Sequence, residues 1–270
     1  MALGPKSGPG TNLPSAPTET DLRGPLALHE RAPQRNAESV TAREPNRPLP
    51  GDSVRDKMIM ALTGAFLAFY VLAHLFGNLK IFLGDGHLDS YGEWLRDFGE
   101  PLFPRTWLLW GFRIVLSGAF LGHVWAAWRV VHRNRAAVGG GLRRSHGPWG
   151  AARRYAASTM WMSGVVLGLF VLFHLLDLTW GTVNPGFESG AVERNVVASL
   201  QRWPVAAVYS LATLMLGLHL VHGIWSLFTS LGFHGRRIDY IRRFLVTSVP
   251  TFLIIGNLAI PVAVLSGWVK

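Results

Sequence analysis

Apolar residues along this chain gather in long blocks instead of alternating with polar ones, and short stretches dense in charge, glycine or proline separate the blocks. About 20 helical residues cross the roughly 30 Å hydrocarbon core of a bilayer, and five windows reach that length: 58–79, 107–131, 156–180, 204–231 and 244–269. Soluble core helices of such length carry a charged face; these carry almost none. The pattern therefore predicts an all-α integral membrane protein with five transmembrane helices, four of them forming a histidine-bearing core bundle. Pro204 suits the first turn of the fourth span, and Pro250 and Pro261 fall inside the fifth, where neighbouring helices sustain a kinked but continuous helix. The segment 80–106 is too polar to cross, and its WLRDF portion reads as a short surface helix.

Charge placement orients the spans. The formal net charge is +10, but it is not spread evenly. Arg133, Arg135, Arg143, Arg144, Arg153 and Arg154 crowd the second connection, and Arg236, Arg237, Arg242 and Arg243 stand against Asp239 in the fourth. The first connection is acidic, with Asp85, Asp89, Glu93, Asp97 and Glu100. The positive-inside rule then puts the N-terminal side and the two basic connections in the cytoplasm, and the end near Lys270 outside. Basic charge sorted in this way belongs to a membrane surface, and no nucleic-acid partner is expected. Residues 1–56 are rich in Pro, Gly, Ser and charge and lack an apolar signal-like core, so they read as a cytoplasmic tail, disordered or ordered by a partner; the membrane part is taken as 57–269.

With Cys 0 the chain holds no disulfide, thiol nucleophile or iron–sulfur cluster of its own, although a cluster shared with a partner's cysteines stays open. Its chemistry must come from histidine. Four spans carry one well-placed imidazole each: His74 and His174 toward the outer side, His123 and His219 deeper toward the cytoplasm. Burying such groups costs free energy, and ionisable residues inside membrane spans are generally functional. Two layers of two imidazoles suit two bis-histidine haems, whose propionates Arg113 and Arg129 could meet. In GLHLVHGIWS, His222 follows His219 by one turn and shares its face, so one could bind metal while the other serves a quinone, a propionate or a partner. No acid or cysteine stands close in sequence to complete a zinc site.

Two phrases, SVRDKMIMALTGAFLAFYVLAHLFGNL in the first span and LHLVHGIWSLFTSLG across the fourth, together with the order of the histidines, resemble the membrane cytochrome b subunit of succinate dehydrogenase and fumarate reductase, in its bacterial single-anchor five-helix form. The resemblance covers about 50–269. It implies a plasma-membrane subunit that passes electrons between a quinone and an iron–sulfur partner, while a flavoprotein partner interconverts succinate and fumarate. It also implies haem b, one or two with two preferred, the outer held by His74 and His174 and the inner by His123 and His219, with His222 as the alternative ligand. Gly217 departs from fumarate reductases of this type that carry an acid two residues before the fourth-span ligand.

A quinone, menaquinone in this reading, needs an oily slot and donors for its carbonyl oxygens. Ser53, Arg55, Lys57, His222, Trp225 and Ser226 are the candidates on the cytoplasmic side, and Asn78, Arg113 and Asp177 mark an alternative outer site. Lipid surrounds the spans, and a higher oligomer of the complex is compatible with them. Competing expectations are a haem-free anchor with a quinone pocket, which would bind the partners but lack a redox centre, and a transporter or channel whose histidines relay protons and which would need neither.

Overall fold

The computed structural model describes Gly4, 50–84, 86–137 and 148–270, with side chains described over 54–84, 86–133 and 159–270 besides Gly4. Of the tail taken as 1–56, residues 50–56 are helical, and apart from Gly4 the rest lies outside the described residues. Seven α-helices and no strand are found among them: α1 (Pro50–Asn78), extended by a 3₁₀ segment Leu79–Leu83, then α2 (His87–Asp97), α3 (Trp107–Ala137), α4 (Pro148–Leu178), α5 (Val192–Leu200), α6 (Trp203–Ser230) and α7 (Arg236–Leu265). Five of these helical stretches, Val54–Leu83, Trp107–Arg133, Thr159–Leu178, Trp203–Ser230 and Arg236–Leu265, are long and apolar enough to cross a membrane.

The helix ends follow local chemistry. Pro204 lies in the first turn of α6, where its missing N–H costs nothing. α7 runs through Pro250 and Pro261 without a break, and both rings are buried against neighbours. It also starts earlier than its apolar run suggests, because Arg236, Arg237, Arg242 and Arg243 occupy its first two turns. The surface helix expected around WLRDF is α2, which begins several residues sooner, behind Gly86 in a left-handed conformation at φ 82°. Nothing in the apolar pattern marks α5. It is short, and its buried Val197 and Leu200 join Ile81, Leu88, Ala206, Ile260 and Val264 in a cluster that closes one end of the bundle. There the Asp89 carboxylate accepts from the Glu193 N–H (2.9 Å), and the Glu193 carboxylate accepts from the Gly86 N–H (3.2 Å).

α6 packs most extensively on α7, α1 on α3 and α4 on α6, while α1 also meets α6 and α7. Small side chains make these approaches close. Ala61 and Ala126 are buried between α1 and α3, and Gly122 of α3 faces Thr63 of α1. At the centre Leu75 of α1, Leu220 of α6 and Leu253 of α7 form a second buried cluster. Among the described residues, no backbone packing of comparable extent joins α1 to α4, α3 to α4 or α3 to α6. The bundle thus divides into an α1–α3 pair and an α4–α6–α7 group that meet along α1. Outward surfaces stay apolar, as at Phe69, Ile114, Leu121 and Leu169, which suits hydrocarbon as the solvent.

Gly256 of α7 shows how tight the α1–α7 seam is. A Cβ added there would stand 2.8 Å from Leu75 Cδ2 and 3.0 Å from its Cδ1, and Leu75, 1% exposed, has nowhere to swing. Gly256→Ala is expected to destabilise the chain by about 1–3 kcal/mol through overpacking. At Gly118 of α3 an added Cβ meets nothing within 4 Å, so Gly118→Ala is the neutral control. Thermal unfolding of both variants in detergent checks the contrast.

Candidate histidine site

The four histidines meet as two pairs. The rings of His74 (α1) and His174 (α4) lie 5.9 Å apart between centroids, and those of His123 (α3) and His219 (α6) lie 6.3 Å apart. Each pair spans helices that lack extensive backbone packing, so the imidazoles point into the divide between the two halves of the bundle. The pairs are also layered. Thr63 touches His123 and Ser163 touches His219, whereas His74 and His174 follow those hydroxyl residues by eleven positions on their own helices. Eleven residues are about three turns, roughly 16 Å of rise, and return to nearly the same helix face.

Each ring has one nitrogen engaged. His123 Nδ1 lies 3.1 Å from the Met60 carbonyl and 3.3 Å from Thr63 Oγ1, whose own proton goes to the Ile59 carbonyl at 2.6 Å. His219 Nδ1 is 3.1 Å from Ser163 Oγ, and that hydroxyl donates to the Met160 carbonyl. Both imidazoles therefore donate through Nδ1 and keep Nε2 as an unprotonated lone pair, the form a metal ligand requires. His174 Nδ1 faces the Tyr209 hydroxyl oxygen at 3.3 Å, and His74 Nδ1 pairs with the Asn78 side-chain amide at 2.8 Å. Glycines make room beside the second pair: Gly64 of α1 lies against His123 and Gly164 of α4 against His219.

Two imidazoles that ligate one metal from opposite sides have ring centres about 6 Å apart, from two bonds of ~2 Å and the ring half-widths. Both pairs match that spacing. Among the described residues, no three His, Cys, Asp or Glu side chains gather as a bare ion would require. The residues present thus fit a group that would take two imidazole ligands better than an ion held by protein alone.

The other sequence candidates fall in different places. Asp177 is no surface residue; it is 0% exposed and surrounded by Ser199, Arg202 and Tyr209. Arg129 is committed to Asp56 (2.9 Å), which Arg133 also reaches (2.8 Å), and its guanidinium lies over Trp125. Arg113 is exposed and lies over Trp110 at 4.9 Å. On the side expected to face the cytoplasm, His222 Nδ1 bonds the Leu218 carbonyl of its own helix (3.0 Å). Trp225 carries the Arg242 guanidinium 3.9 Å from its ring centre, with Arg242 tied to Asp239. Ser226 lies on the same helix, partly exposed, and Arg55 and Lys57 are exposed on α1. The Ser53 side chain lies outside the described residues.

Sequence reasoning missed Thr63, Ser163, Tyr209, Ser199, Arg202 and Asp56. One signal was available: a hydroxyl residue stands eleven positions before the histidine in both the first and third spans. Comparison with known proteins yields no matching family model, no matching curated relative and no matching solved structure.

Proposed function

We propose that the chain is the membrane anchor and electron-transfer subunit of a succinate:quinone oxidoreductase, passing electrons between an iron–sulfur partner and membrane quinone. The observation that carries this reading is the meeting of four histidines from four spans as two layered pairs, at the spacing two imidazoles sharing one metal would have. Haem b, when bound there, supplies one-electron storage and transfer. His74 with His174 and His123 with His219 would hold it; acceptor oxygens at Nδ1 of His174, His123 and His219 orient those rings and fix their tautomer, whereas at His74 the Asn78 amide N–H donates to Nδ1 and orients the ring alone. Succinate oxidation itself is assigned to a flavoprotein partner.

In this reading the Arg-rich start of α7 and the exposed Arg55 and Lys57 lie on the cytoplasmic side, where they would receive the iron–sulfur subunit. A menaquinone taking its electrons on the opposite side would couple transfer to the membrane potential, at roughly 2.3 kcal/mol per charge per 100 mV. The chain purified with its partners tests the assignment through reduced-minus-oxidised visible spectra and haem per polypeptide. Two b-type haems are expected. Partners without any haem would leave only a structural anchor, and paramagnetic resonance of the same sample would then look for an iron–sulfur signal at His219 and His222.

A further inference from the structure

The four histidines are not supported alike. Behind His123 and His219 stand a neutral carbonyl and a serine, and beside His74 stands an amide. Behind His174 stands a carboxylate at one remove. The Tyr209 hydroxyl donates its single proton to Asp177 Oδ2 at 2.9 Å, so its oxygen can only accept from His174 Nδ1–H. Asp177 is held by three donors: Tyr209, the Ser199 hydroxyl on the same Oδ2, and Arg202 Nη2 on Oδ1 at 2.7 Å. Arg202 is itself fixed by the Val183 carbonyl (2.8 Å). Asp177 and Ser199 are both 0% exposed, while Arg202 reaches from the carboxylate to the surface with 31% exposure.

A hydrogen bond from the far nitrogen of a ligating imidazole to an acceptor polarised by a carboxylate makes the ring a stronger electron donor. A stronger donor favours the ferric over the ferrous state. We infer that Tyr209 and Asp177 are positioning residues that hold His174 in its ligating tautomer and lower the reduction potential of the His74/His174 centre. The inference rests on the haem reading above and deepens it by assigning two residues of this chain to the tuning of one centre. Tyr209 lies on α6 and His174 on α4, so the same contact also locks the rotation of α4 against α6.

The test uses the chain purified with its partners, as wild type, Tyr209→Phe and Asp177→Asn. Phe keeps the ring that packs edge-on against Phe170 (5.0 Å), and Asn keeps the shape of Asp177. Haem per polypeptide and a potentiometric titration followed in the visible spectrum are recorded on each sample. Both variants are expected to keep two haems and to shift one midpoint upward by about tenfold in the ferrous-to-ferric ratio, ~59 mV for one electron, with the other midpoint unmoved. Ser163→Ala is expected to move the other midpoint instead. Unchanged midpoints at full haem content, or two midpoints that move together, would overturn the inference. If Tyr209→Phe fails to assemble, Asp177→Asn decides by the same criteria; failure of both would assign the pair to folding and overturn the inference. A wild-type complex without haem removes the functional reading and this inference with it, whereas two haems with immobile midpoints remove the inference alone.

Discussion

His219→Ala is expected to leave one haem per polypeptide in place of the two proposed, His123→Ala to have the same effect, and the double variant to lose no more than either single one. This outcome follows from the proposed pairing, because one iron shared by two axial imidazoles is lost when either is removed. His74→Ala and His174→Ala should behave likewise at the other layer. A cross-layer variant, His74→Ala with His219→Ala, should lose both haems. Residues that serve one centre are non-additive, while those serving separate centres add. The two layers are roughly 16 Å apart along the helices, far enough for independence. His222→Ala should retain both haems, since its ring bonds the Leu218 carbonyl within its own helix. Haem extraction and visible quantification against polypeptide, on complexes shown to be assembled, read the result. Loss of one chromophore from His222→Ala would reassign the inner ligand.

Asp56→Ala is expected to be the most destabilising single change outside the histidines. Asp56 is 0% exposed at the start of the first span and takes Arg129 Nε and Arg133 Nη2 on one carboxylate oxygen. Its removal leaves two guanidiniums, 33% and 19% exposed, facing each other without a counter-charge. Breaking a buried pair by deleting one partner costs about 3–5 kcal/mol, and partial exposure of the arginines favours the low end, about 3 kcal/mol. The array also ties α1 to α3 on the side where α3 leads into the basic connection, so local opening there should grow as well. The double variant Asp56→Ala with Arg129→Ala should be less harmed than the sum of the singles. Thermal midpoints in detergent measure both. An Asp56→Ala chain as stable as wild type would show that the array contributes nothing net. The ion pairs of Arg105 with Asp97 and Glu93 make the contrast: both partners are about half exposed, and Asp97→Ala should change stability by less than about 1 kcal/mol.

Comparison of α7 with α5 shows what could be read in advance. The apolar run of α7 is long enough that no solvent-exposed alternative exists for it, and its two prolines only constrain which neighbours must surround it. α5 is nine residues with mixed polarity, and it forms because Val197 and Leu200 find a surface made by the ends of α1, α6 and α7. That surface does not exist in the local sequence. Asp177 tells the same story in the site. Its place in the last turn of a span suggested an outer quinone site, whereas its partners are Tyr209 and Arg202, 32 and 25 residues away. Arg129 shows the converse, since its position beside a histidine-bearing stretch suggested a propionate partner, whereas Asp56 of another helix claims it.

The sequence by itself determined the five long apolar helices and the four spans that carry an imidazole, because length, hydropathy and the cost of burying a ring in hydrocarbon are properties of the local chain. Only the tertiary structure decided which imidazoles face one another, which nitrogen of each ring is engaged, and that His174 alone is backed by a carboxylate. Those facts depend on the rotation and depth of each helix against its neighbours. Small residues such as Ala61, Ala126, Gly217 and Gly256 set these by allowing close approach at particular places, and no single segment contains both sides of such a contact.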